Sequence, residues 1–311
     1  MSSRRIFTSL LLGSAVVLTL TTMIDGRRAR ALAADSAAPP PGYALAPSFD
    51  EEFNGSAPTN AWGNAFVDPG TTPITAPQRT LWTNGEREIY FDKDYLKLGL
   101  NPFAVHDGMM TVTAAPMNQA TKAAVNAELN GIPQFSNNAV LRNVAFTSGM
   151  LTQRGRFVQQ YGYFETRMRW TAGNGIWPGF WLLRQDSHWP PEIDIMEAVG
   201  KDPKAVFSST HSAVAPNDTT LRVPLTGSPQ DFHRYGALWL PDRIDYYVDG
   251  VKTVSLPTHT DMNQPMYMLL NLAIGGNWPG NPDASTVNPA KMDIDYVRAW
   301  KFVGPPPTTG P

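Results

Sequence analysis

The chain has 311 residues, of which 42% are apolar and 11% aromatic, enough to bury a sizeable core in one large or two ordinary domains. Charged residues make up only 17%, whereas glycine (25) and proline (28) are plentiful, and this composition suits a loop-rich protein of strands better than a helical one. The formal net charge is −2, and without residues 1–33 the chain holds 20 basic and 26 acidic residues, which argues against a nucleic-acid partner.

The first 33 residues are predicted to be an export signal of the twin-arginine type. The paired arginines Arg4 and Arg5 are followed by an apolar stretch from Leu10 to about Thr21 and by a small-x-small cleavage site at Ala31–Ala33. The alternative is an uncleaved membrane anchor, but the apolar stretch is shorter than the roughly 20 residues that a spanning helix needs. We therefore expect export to the periplasm or the cell exterior, and no membrane partner once the signal is cleaved. The absence of cysteine excludes disulfides and thiol catalysis.

Composition divides the rest of the chain into three parts. Residues 34–46 are rich in alanine and proline and are predicted to form a flexible linker. Residues 47–303 are predicted to form one globular domain, and residues 304–311 a stiff proline-rich tail. The sequence has no internal repeat, and we expect the mature protein to be a monomer.

A strand that follows a turn, and a hairpin, are predicted within the globular part. Met109–Ala114 alternates polar and apolar residues after a turn at Asp107-Gly108. Ile244–Val248 runs through Asp249-Gly250 into Val251–Val254, which is a strong hairpin signal.

Further strands are predicted at 163–170 and 266–272, the second of them fully buried because it is almost uniformly apolar. No long stretch has the 3.6-residue period of a helix, although Thr121–Leu129 has helical composition within an irregular insertion. Many short strands separated by turns favour an all-β sandwich or jelly roll.

Six residues with the sequence EIDIME carry the strongest chemical signal in the chain. They follow Pro190-Pro191, and since proline cannot donate a hydrogen bond to a sheet, a strand can begin only at Glu192. Side chains alternate along a strand, so Glu192 and Asp194 share one face. Glu197 joins them only if a β-bulge absorbs one extra residue, which we place at Met196.

Three carboxylates on one pleated face repel one another, so at least one is expected to hold its proton above the usual pKa of about 4. Retaining glycosidases need such a pair, with an ionised nucleophile and a protonated acid about 5–5.5 Å apart. An acidic edge strand or a metal site would present the same residues, and the motif alone does not separate these alternatives.

Three further motifs flank the acids. They are YGYFETR from Tyr161 and GIWPGFWLL from Gly175 upstream, and NLAIGGNWPG from Asn271 downstream. Together with EIDIME in its bulged, laminarinase-type form, they resemble the β-glucanases of glycoside hydrolase family sixteen from about Phe49 to Trp300. The resemblance implies a β-jelly roll of two antiparallel sheets whose concave sheet forms the substrate cleft.

The resemblance also implies a role for each acid. Glu192 is expected to be the nucleophile and Glu197 the general acid/base, while Asp194 hydrogen-bonds to the nucleophile and helps to set the protonation of the pair. The chemistry of retaining hydrolysis agrees, since one carboxylate attacks the anomeric carbon and the other carboxyl protonates the leaving oxygen. No cofactor is expected for catalysis, and the pH optimum is expected on the acid side of neutral.

Three tryptophans are candidates for sugar stacking. Trp177 and Trp181 are four apart in one strand, share a face, and are predicted to form the floor of the cleft. Trp278 lies in a glycine-rich loop and is predicted to close over a bound sugar. The alternative for each is core packing, which we expect for Trp170 and Trp300.

Five polar residues are further candidates for substrate binding. His211 resembles a family histidine near the acid/base on the leaving-group side, and Asn271 resembles a position that faces sugar hydroxyls. Asn84 and Arg87 lie in a segment that resembles the loop shaping the non-reducing-side subsites. Glu165 either borders the cleft or pairs with an arginine of its own strand.

Family members often carry a structural calcium on the convex face, distant from the catalytic acids. The matching ligands in this chain are Glu52, the carbonyl of Gly108, and Asp295, and oxygen ligands suit calcium. The spacing of these residues does not by itself require a metal.

The motifs together predict an exported endo-acting β-glucanase that cleaves β-1,3 or mixed β-1,3/1,4 glucan with retention of configuration. Segments at Trp82–Tyr90, Asn101–Phe103 and Trp189–Glu192 resemble the family branch that trims bacterial exopolysaccharides, so such a polymer is a second candidate substrate. Two alternatives are a non-catalytic glucan-binding protein, which need not keep all three acids, and a transglycosylase, which shares the covalent intermediate.

Overall fold

The structure, a computed structural model, describes residues 38–186, 188–215 and 219–308. Contacts divide the chain into two units, residues 1–41 and 42–311, and the fold below is that of the second unit. The predicted export signal, residues 1–33, lies outside the described residues. None of the helices in the described part of the chain combines the length and apolar character needed to cross a membrane.

The second unit is built mostly from strands. Within its described residues the strands are β1 (Leu45–Glu51), β2 (Glu88–Tyr90), β3 (Phe103–His106), β4 (Met109–Pro116), β5 (Phe146–Ser148), β6 (Met150–Thr152), β7 (Gly162–Trp170), β8 (Ile176–Arg184), β9 (Glu192–Glu197), β10 (Ala205–His211), β11 (Thr219–Pro224), β12 (His233–Trp239), β13 (Arg243–Val248), β14 (Val251–Pro257), β15 (Met266–Ile274) and β16 (Ala290–Phe302). The α-helices are α1 (Gln119–Asn130) and α2 (Ala139–Arg142), and single 3-10 turns lie at Ala76–Gln78, Trp82–Asn84, Tyr95–Lys97 and Thr260–Met262.

The strands form two sheets. One has the order β14-β13-β12-β7-β16-β4-β5-β2, with β1 paired to β16 and β3 paired to β4, and the other has the order β11-β10-β9-β8-β15-β6. The paired strands of the described residues are antiparallel except for β2 and β5. This architecture confirms the predicted all-β class of two antiparallel sheets.

A hydrophobic core joins the two sheets. It contains Phe164 and Met168 from β7 of the larger sheet, and Phe180, Ile193 and Leu270 from β8, β9 and β15 of the smaller one. Full burial of such side chains contributes about 1.5–3 kcal/mol each. The core therefore fixes which face of β9 points inward and leaves the other face available for a cleft.

The predicted hairpin and the predicted turn at Asp107-Gly108 are both confirmed. β3 and β4 are joined at Asp107-Gly108, and β13 and β14 at Asp249-Gly250. All four turn residues have left-handed φ angles between 50° and 78°. Two consecutive left-handed residues are what a two-residue hairpin turn requires, which explains the Asp-Gly pairs.

The insertion that contains Thr121–Leu129 is a regular helix and not irregular. α1 is capped by the Asn118 side chain, which accepts the Thr121 amide at 2.8 Å, and it buries Thr121, Val125 and Leu129 at a spacing of four. Val125 and Leu129 join a second hydrophobic cluster beside the 3-10 turn Trp82–Asn84, with Trp82 packing on Phe135. Three buried positions in twelve residues make a weak sequence signal, because the rest of the helix is polar or alanine.

The predicted linker, residues 34–46, extends two residues too far. β1 begins at Leu45, which pairs with Phe302 of β16, and the ring of Tyr43 packs against the edge of Phe302 at 6.2 Å. The start of the domain is thus fixed by strand pairing, which composition does not reveal. Residues 304–308 form no helix or strand.

Candidate active site

A β-bulge in β9 brings the three acids to one face. Opposite β8, Asp194 pairs with Trp181 and Met196 with Phe180, so the register skips Ile195. Ile195 and Met196 are both buried in the core, and the strand then returns Glu197 to the face of Glu192. The predicted bulge is confirmed, but its extra residue is Ile195 and not Met196, because two successive side chains enter the core.

Glu192 and Glu197 line a large open cleft. Its other lining residues are Leu81, Thr83, Asn84, Trp177, Trp181, Leu183, Trp189, His211, Thr220, Asn277 and Trp278. Five of the predicted binding residues are in this set, namely Asn84, Trp177, Trp181, His211 and Trp278. Asp194 lies buried beside Glu192, and the ligand atoms of Glu192, Asp194 and His211 are all within 4.8 Å of one another.

Each acid has a ring nitrogen within 3.0 Å of one of its oxygens. The indole Nε1 of Trp189 donates to Glu192 Oε2 at 2.7 Å, and the indole Nε1 of Trp177 donates to Glu197 Oε1 at 2.9 Å. His211 Nε2 lies 3.0 Å from Asp194 Oδ2. The two indoles are neutral, and the His211 ring is charged only when it is protonated. In these contacts, therefore, no carboxyl is oriented by the permanent charge of an arginine or lysine.

Burial raises the pKa of all three carboxyls. It lifts the pKa of Glu197 to about 7, with a further contribution from the charge of Glu192. Burial and then the charge of Glu197 lift the pKa of Asp194 to about 6, against the opposing effect of His211. Burial and then the charge of Asp194 raise the pKa of Glu192 well above its ordinary value. Each carboxyl therefore keeps its proton to a higher pH than usual, and Glu197 is available as a proton donor near neutral pH, as acid–base catalysis requires.

Glu192, Asp194 and His211 also form the group of described residues that is arranged like metal ligands. The metal-site alternative of the sequence motif thus falls on the same residues as the catalytic one. The Trp189 indole already binds one oxygen of Glu192, and two oxygens and one nitrogen are fewer ligands than the six to eight oxygens of a calcium site.

Trp278 is wedged between two aromatic rings beside the acids. Its ring meets Trp177 edge-on at 5.5 Å and Phe207 at 5.0 Å, and its carbonyl accepts the Lys201 ammonium at 2.9 Å. Trp177 in turn binds Glu197, so Trp278 and Trp177 form one aromatic wall next to the acid. Trp170 and Trp300, which we expected in the core, are both buried.

The sequence did not single out Trp189 as a binding residue. This side chain is 62% exposed, lines the cleft, lies 6.0 Å from the His211 ring, and binds Glu192. The available signal was a tryptophan followed by two prolines and then by a strand that begins with an acid, because tryptophan offers an apolar ring face and an N–H donor together.

Two predicted binding residues, Asn271 and Arg87, are not among the residues that line the cleft. Asn271 is buried, and its Oδ1 accepts the Trp181 indole N–H at 2.8 Å, so it supports the floor from below. Arg87 binds the Asn143 carbonyl at 3.1 Å and Asn281 Oδ1 at 3.2 Å, which links two loops at the end of the cleft.

The prediction that Glu165 borders the cleft or pairs with an arginine of its strand is wrong. Glu165 lies on β7 of the other sheet, where its oxygens accept the hydroxyls of Tyr163 and Tyr296, both at 2.7 Å. Arg167 instead pairs with Asp295 of β16 at 2.6 Å. Strand alternation gives the face of a residue but not the sheet to which its strand belongs.

The predicted calcium ligands lie away from the acids, on elements of the larger sheet and its turns. Glu52 accepts Arg298 at 2.6 Å, Asp295 accepts Arg167 at 2.6 Å, and Gly108 lies in the β3–β4 turn. The donors are oxygens, as calcium prefers, but a calcium ion would compete with two guanidinium groups for the carboxylates. Calcium binding stays a prediction.

Comparison with known proteins places these features in a family. The family model for glycosyl hydrolases family 16 matches residues 111–298. The endo-1,3-1,4-beta-glycanases ExsH and EglC of Rhizobium meliloti (strain 1021) are 36% and 37% identical to the chain over 270 and 263 residues, covering 83% of this chain and 52% of each relative. The endo-beta-1,3-glucanase from Pyrococcus furiosus has a TM-score of 0.68 at 27% identity, covering 86% of this chain and 98% of that one.

The family match covers more than half of the chain and includes all three acids. The chain therefore belongs to glycosyl hydrolase family 16. It spans about half the length of the curated relatives it matches.

Proposed function

We propose that the protein is an endo-acting β-glucanase that hydrolyses β-1,3 or mixed β-1,3/1,4 glucan with net retention of configuration. The observation that carries the proposal is the placement of Glu192 and Glu197 in one tryptophan-lined cleft, each bound by a different indole. The names of the relatives, two endo-1,3-1,4-beta-glycanases and an endo-beta-1,3-glucanase, support the same linkages.

The proposed first step forms a covalent glycosyl-enzyme. Glu192 attacks the anomeric carbon while Glu197, protonated below its pKa of about 7, gives its proton to the leaving oxygen. For this attack, the proton shared by the buried Glu192 and Asp194 must reside on Asp194, which leaves Glu192 ionised and hydrogen-bonded.

The second step releases the sugar. Glu197 is now ionised, and it takes a proton from a water molecule that attacks the anomeric carbon from the side of the departed leaving group. The Glu192 ester bond breaks, and the carboxylate returns to its contact with the Trp189 indole. Two inversions give net retention. A sugar hydroxyl in place of water gives the transglycosylase alternative.

The substrate is proposed to be neutral where it meets the acids. Apart from the acids and His211, the described lining residues carry no ionisable side chain, and four of them are tryptophans that stack on the apolar faces of sugars. The resemblance of Trp82–Tyr90 to the exopolysaccharide-trimming branch makes a bacterial exopolysaccharide a second candidate polymer. We also propose export by the twin-arginine route and action as a monomer.

Product release from a panel of polymers tests the function. The purified protein is incubated with laminarin, barley mixed-linkage glucan, lichenan and a succinoglycan-like polymer, and soluble products are separated by chromatography. We expect oligosaccharides of several lengths from at least one β-glucan, with β-anomers formed first in NMR spectra. Binding to these polymers without products would support the glucan-binding alternative, and products longer than the substrate would support transglycosylation.

The activity is predicted to have a bell-shaped pH profile with a maximum between about pH 6 and 7. Above about 7, Glu197 loses the proton that the leaving group needs, so kcat/KM falls about tenfold per pH unit. Below about 6, the Glu192–Asp194 pair takes up a second proton, so the nucleophile is neutralised. The measurement is kcat/KM from pH 4 to 9, with thermal midpoints recorded at each end. A profile that is flat up to pH 9 would contradict this assignment.

A structural calcium is also proposed, held by Glu52, Asp295 and the Gly108 carbonyl. Calcium at 100 times its dissociation constant would stabilise the fold by about 2.7 kcal/mol. For a domain of this size that raises the thermal midpoint by about 5–10 °C relative to chelator. The midpoint is measured by calorimetry in EDTA and in calcium chloride, with Asp295→Asn as the variant that should lose the difference. Equal midpoints in the two buffers would rule out the site.

A further inference from the structure

Behind one end of the cleft lie two buried carboxyls that the proposed chemistry does not use. Glu86 is 1% exposed, and Glu88, the first residue of β2, is 0% exposed. Two carboxylates in such a place would cost several kcal/mol unless they are hydrogen-bonded and share a proton. Their contacts therefore need an explanation.

Glu86 accepts hydrogen bonds from three groups around it. Its Oε1 accepts Asn84 Nδ2 at 3.3 Å, and its Oε2 accepts the Leu81 amide at 3.2 Å and the Tyr90 hydroxyl at 3.3 Å. Asn84 and Leu81 both line the cleft. Glu86 thus holds the end of the cleft from its buried side.

The Tyr90 hydroxyl extends this contact to the tryptophan floor. It accepts Asn271 Nδ2 at 2.9 Å, and Asn271 Oδ1 accepts the Trp181 indole N–H at 2.8 Å. Trp181 is only 6% exposed but lines the cleft. A continuous chain of hydrogen bonds therefore runs from Glu86 through Tyr90 and Asn271 to a ring on the substrate side.

Glu88 fixes the loop that carries Trp278. Its Oε2 accepts the amide of Ile274, the last residue of β15, at 2.7 Å. The loop that follows is bound to the same segment as Glu88, since the Asn277 amide donates to the Asn84 carbonyl at 2.8 Å. Glu86 and Glu88 together thus contact both loops at this end of the cleft.

Burial favours the protonated form of both carboxyls. Burial and the charge of Glu88 raise the pKa of Glu86 well above its ordinary value, and burial raises the pKa of Glu88 as well. Glu88 Oε1 is buried and takes no hydrogen bond from an N–H or hydroxyl donor, which leaves it open to a protonated carboxyl.

We propose that Glu86 and Glu88 are positioning residues for substrate binding, and that their hydrogen bonds hold Asn84, Trp181 and the Trp278 loop in the arrangement that binds glucan. This inference rests on the proposed glucanase function. It predicts that loss of the pair weakens substrate binding and leaves the chemical step at Glu192 and Glu197 largely unchanged.

The first test compares Glu86→Leu with Glu86→Gln. Leucine removes every acceptor of Glu86, and the loss of a buried hydrogen-bond chain is expected to raise KM for barley mixed-linkage glucan about tenfold, with kcat within about twofold. Glutamine is close in shape to a protonated glutamate, accepts from Tyr90 and donates to Glu88, so KM should return to within about threefold of the unsubstituted protein. Glu165→Leu is the matched control, because it removes an equally buried carboxyl from the other sheet and should lower the thermal midpoint without changing KM.

The second test asks whether Glu86 acts through Trp181. Trp181→Phe keeps an aromatic ring and removes the indole N–H. Tyr90→Phe removes only the hydroxyl that takes part in the series of hydrogen bonds. Both variants are therefore expected to fold even if Glu86→Leu does not. Dissociation constants for a mixed-linkage glucan hexasaccharide are measured in a Glu192→Gln background by tryptophan fluorescence. Each single change should weaken binding about three- to tenfold, and Tyr90→Phe combined with Trp181→Phe should be no weaker than the worse single variant, because both cut one chain.

The outcomes separate this inference from the proposed function. No product from any β-glucan with the unsubstituted protein would overturn the function. Normal activity with an unchanged KM in Glu86→Leu and Tyr90→Phe would overturn the positioning role alone. Equal KM increases in Glu86→Leu and Glu165→Leu would do the same. So would losses of affinity in the Tyr90→Phe, Trp181→Phe double variant that equal the product of the two single losses.

Discussion

Replacing Glu192 with glutamine is expected to lower kcat/KM on soluble β-glucan by at least about 10⁴-fold, the scale of loss seen when a nucleophile is removed. The amide has nearly the same shape and its oxygen still accepts the Trp189 indole, but it does not attack the anomeric carbon. The loss should appear in kcat with little change in KM, because the lining of the cleft stays in place. Initial rates of reducing-end release on barley glucan measure it.

Two controls make the Glu192→Gln result specific. The variant should bind a mixed-linkage hexasaccharide within about threefold of the unsubstituted protein, and its thermal midpoint should not fall, since a buried group with a raised pKa becomes permanently neutral. Activity within tenfold of the unsubstituted protein would remove Glu192 from the mechanism, and equal loss of binding would indicate damage to the cleft.

Replacing Glu197 with glutamine is expected to lower kcat/KM on β-glucan by about 10²–10⁴-fold, the usual contribution of general acid–base catalysis. The loss should be much smaller for an aryl β-glucoside oligomer with an acidic phenol, because that leaving group departs without a proton. For such a substrate the covalent glycosyl-enzyme should accumulate, since its release needs the same residue as a base. Mass spectrometry of the intact protein detects the added sugar on Glu192.

The pH profile supplies the internal check on this second substitution. The fall in activity above about pH 7 belongs to Glu197, so it should vanish in Glu197→Gln, whereas the fall on the acid side should remain. A variant that keeps the alkaline fall, or loses equal activity on both substrate types, would show that another group is the acid.

Local signals predicted the parts of the fold that depend on neighbouring residues. The start of β9 follows from two prolines, the β13–β14 turn from Asp249-Gly250, and the bulge from the spacing of three acids. Each depends on backbone geometry within a few residues, which is why sequence alone sufficed. The extra residue of the bulge was predicted one position too late, at Met196. Its position depends on the packing of Ile195 and Met196 in the core, which the alternation of side chains does not show.

Features that depend on distant residues were not predictable in the same way. Glu165 shares the alternation of a cleft-facing strand but lies on the opposite sheet, a matter of strand order. Asn271 matched a sugar-binding position, yet in this chain it supports Trp181 from behind. The Trp189 indole binds Glu192 because of the path of the backbone just before β9, and a periodic sequence pattern does not predict that path.

The three acids all come from one six-residue strand, which has hydrogen-bonded neighbours on both sides, whereas much of the wall around them comes from separate loops before β2, before β9 and after β15. The distances between the acids are therefore set by the pairing of the strands, and insertions or deletions in those loops do not change them. Under the proposed function, exchange of one of these loops would change the preferred polymer and leave the positions of the three acids unchanged. Under the proposed function, the residues that cleave the bond and the loops that choose the substrate are therefore separate parts of the structure, and the buried Glu86 and Glu88 lie where the two parts meet.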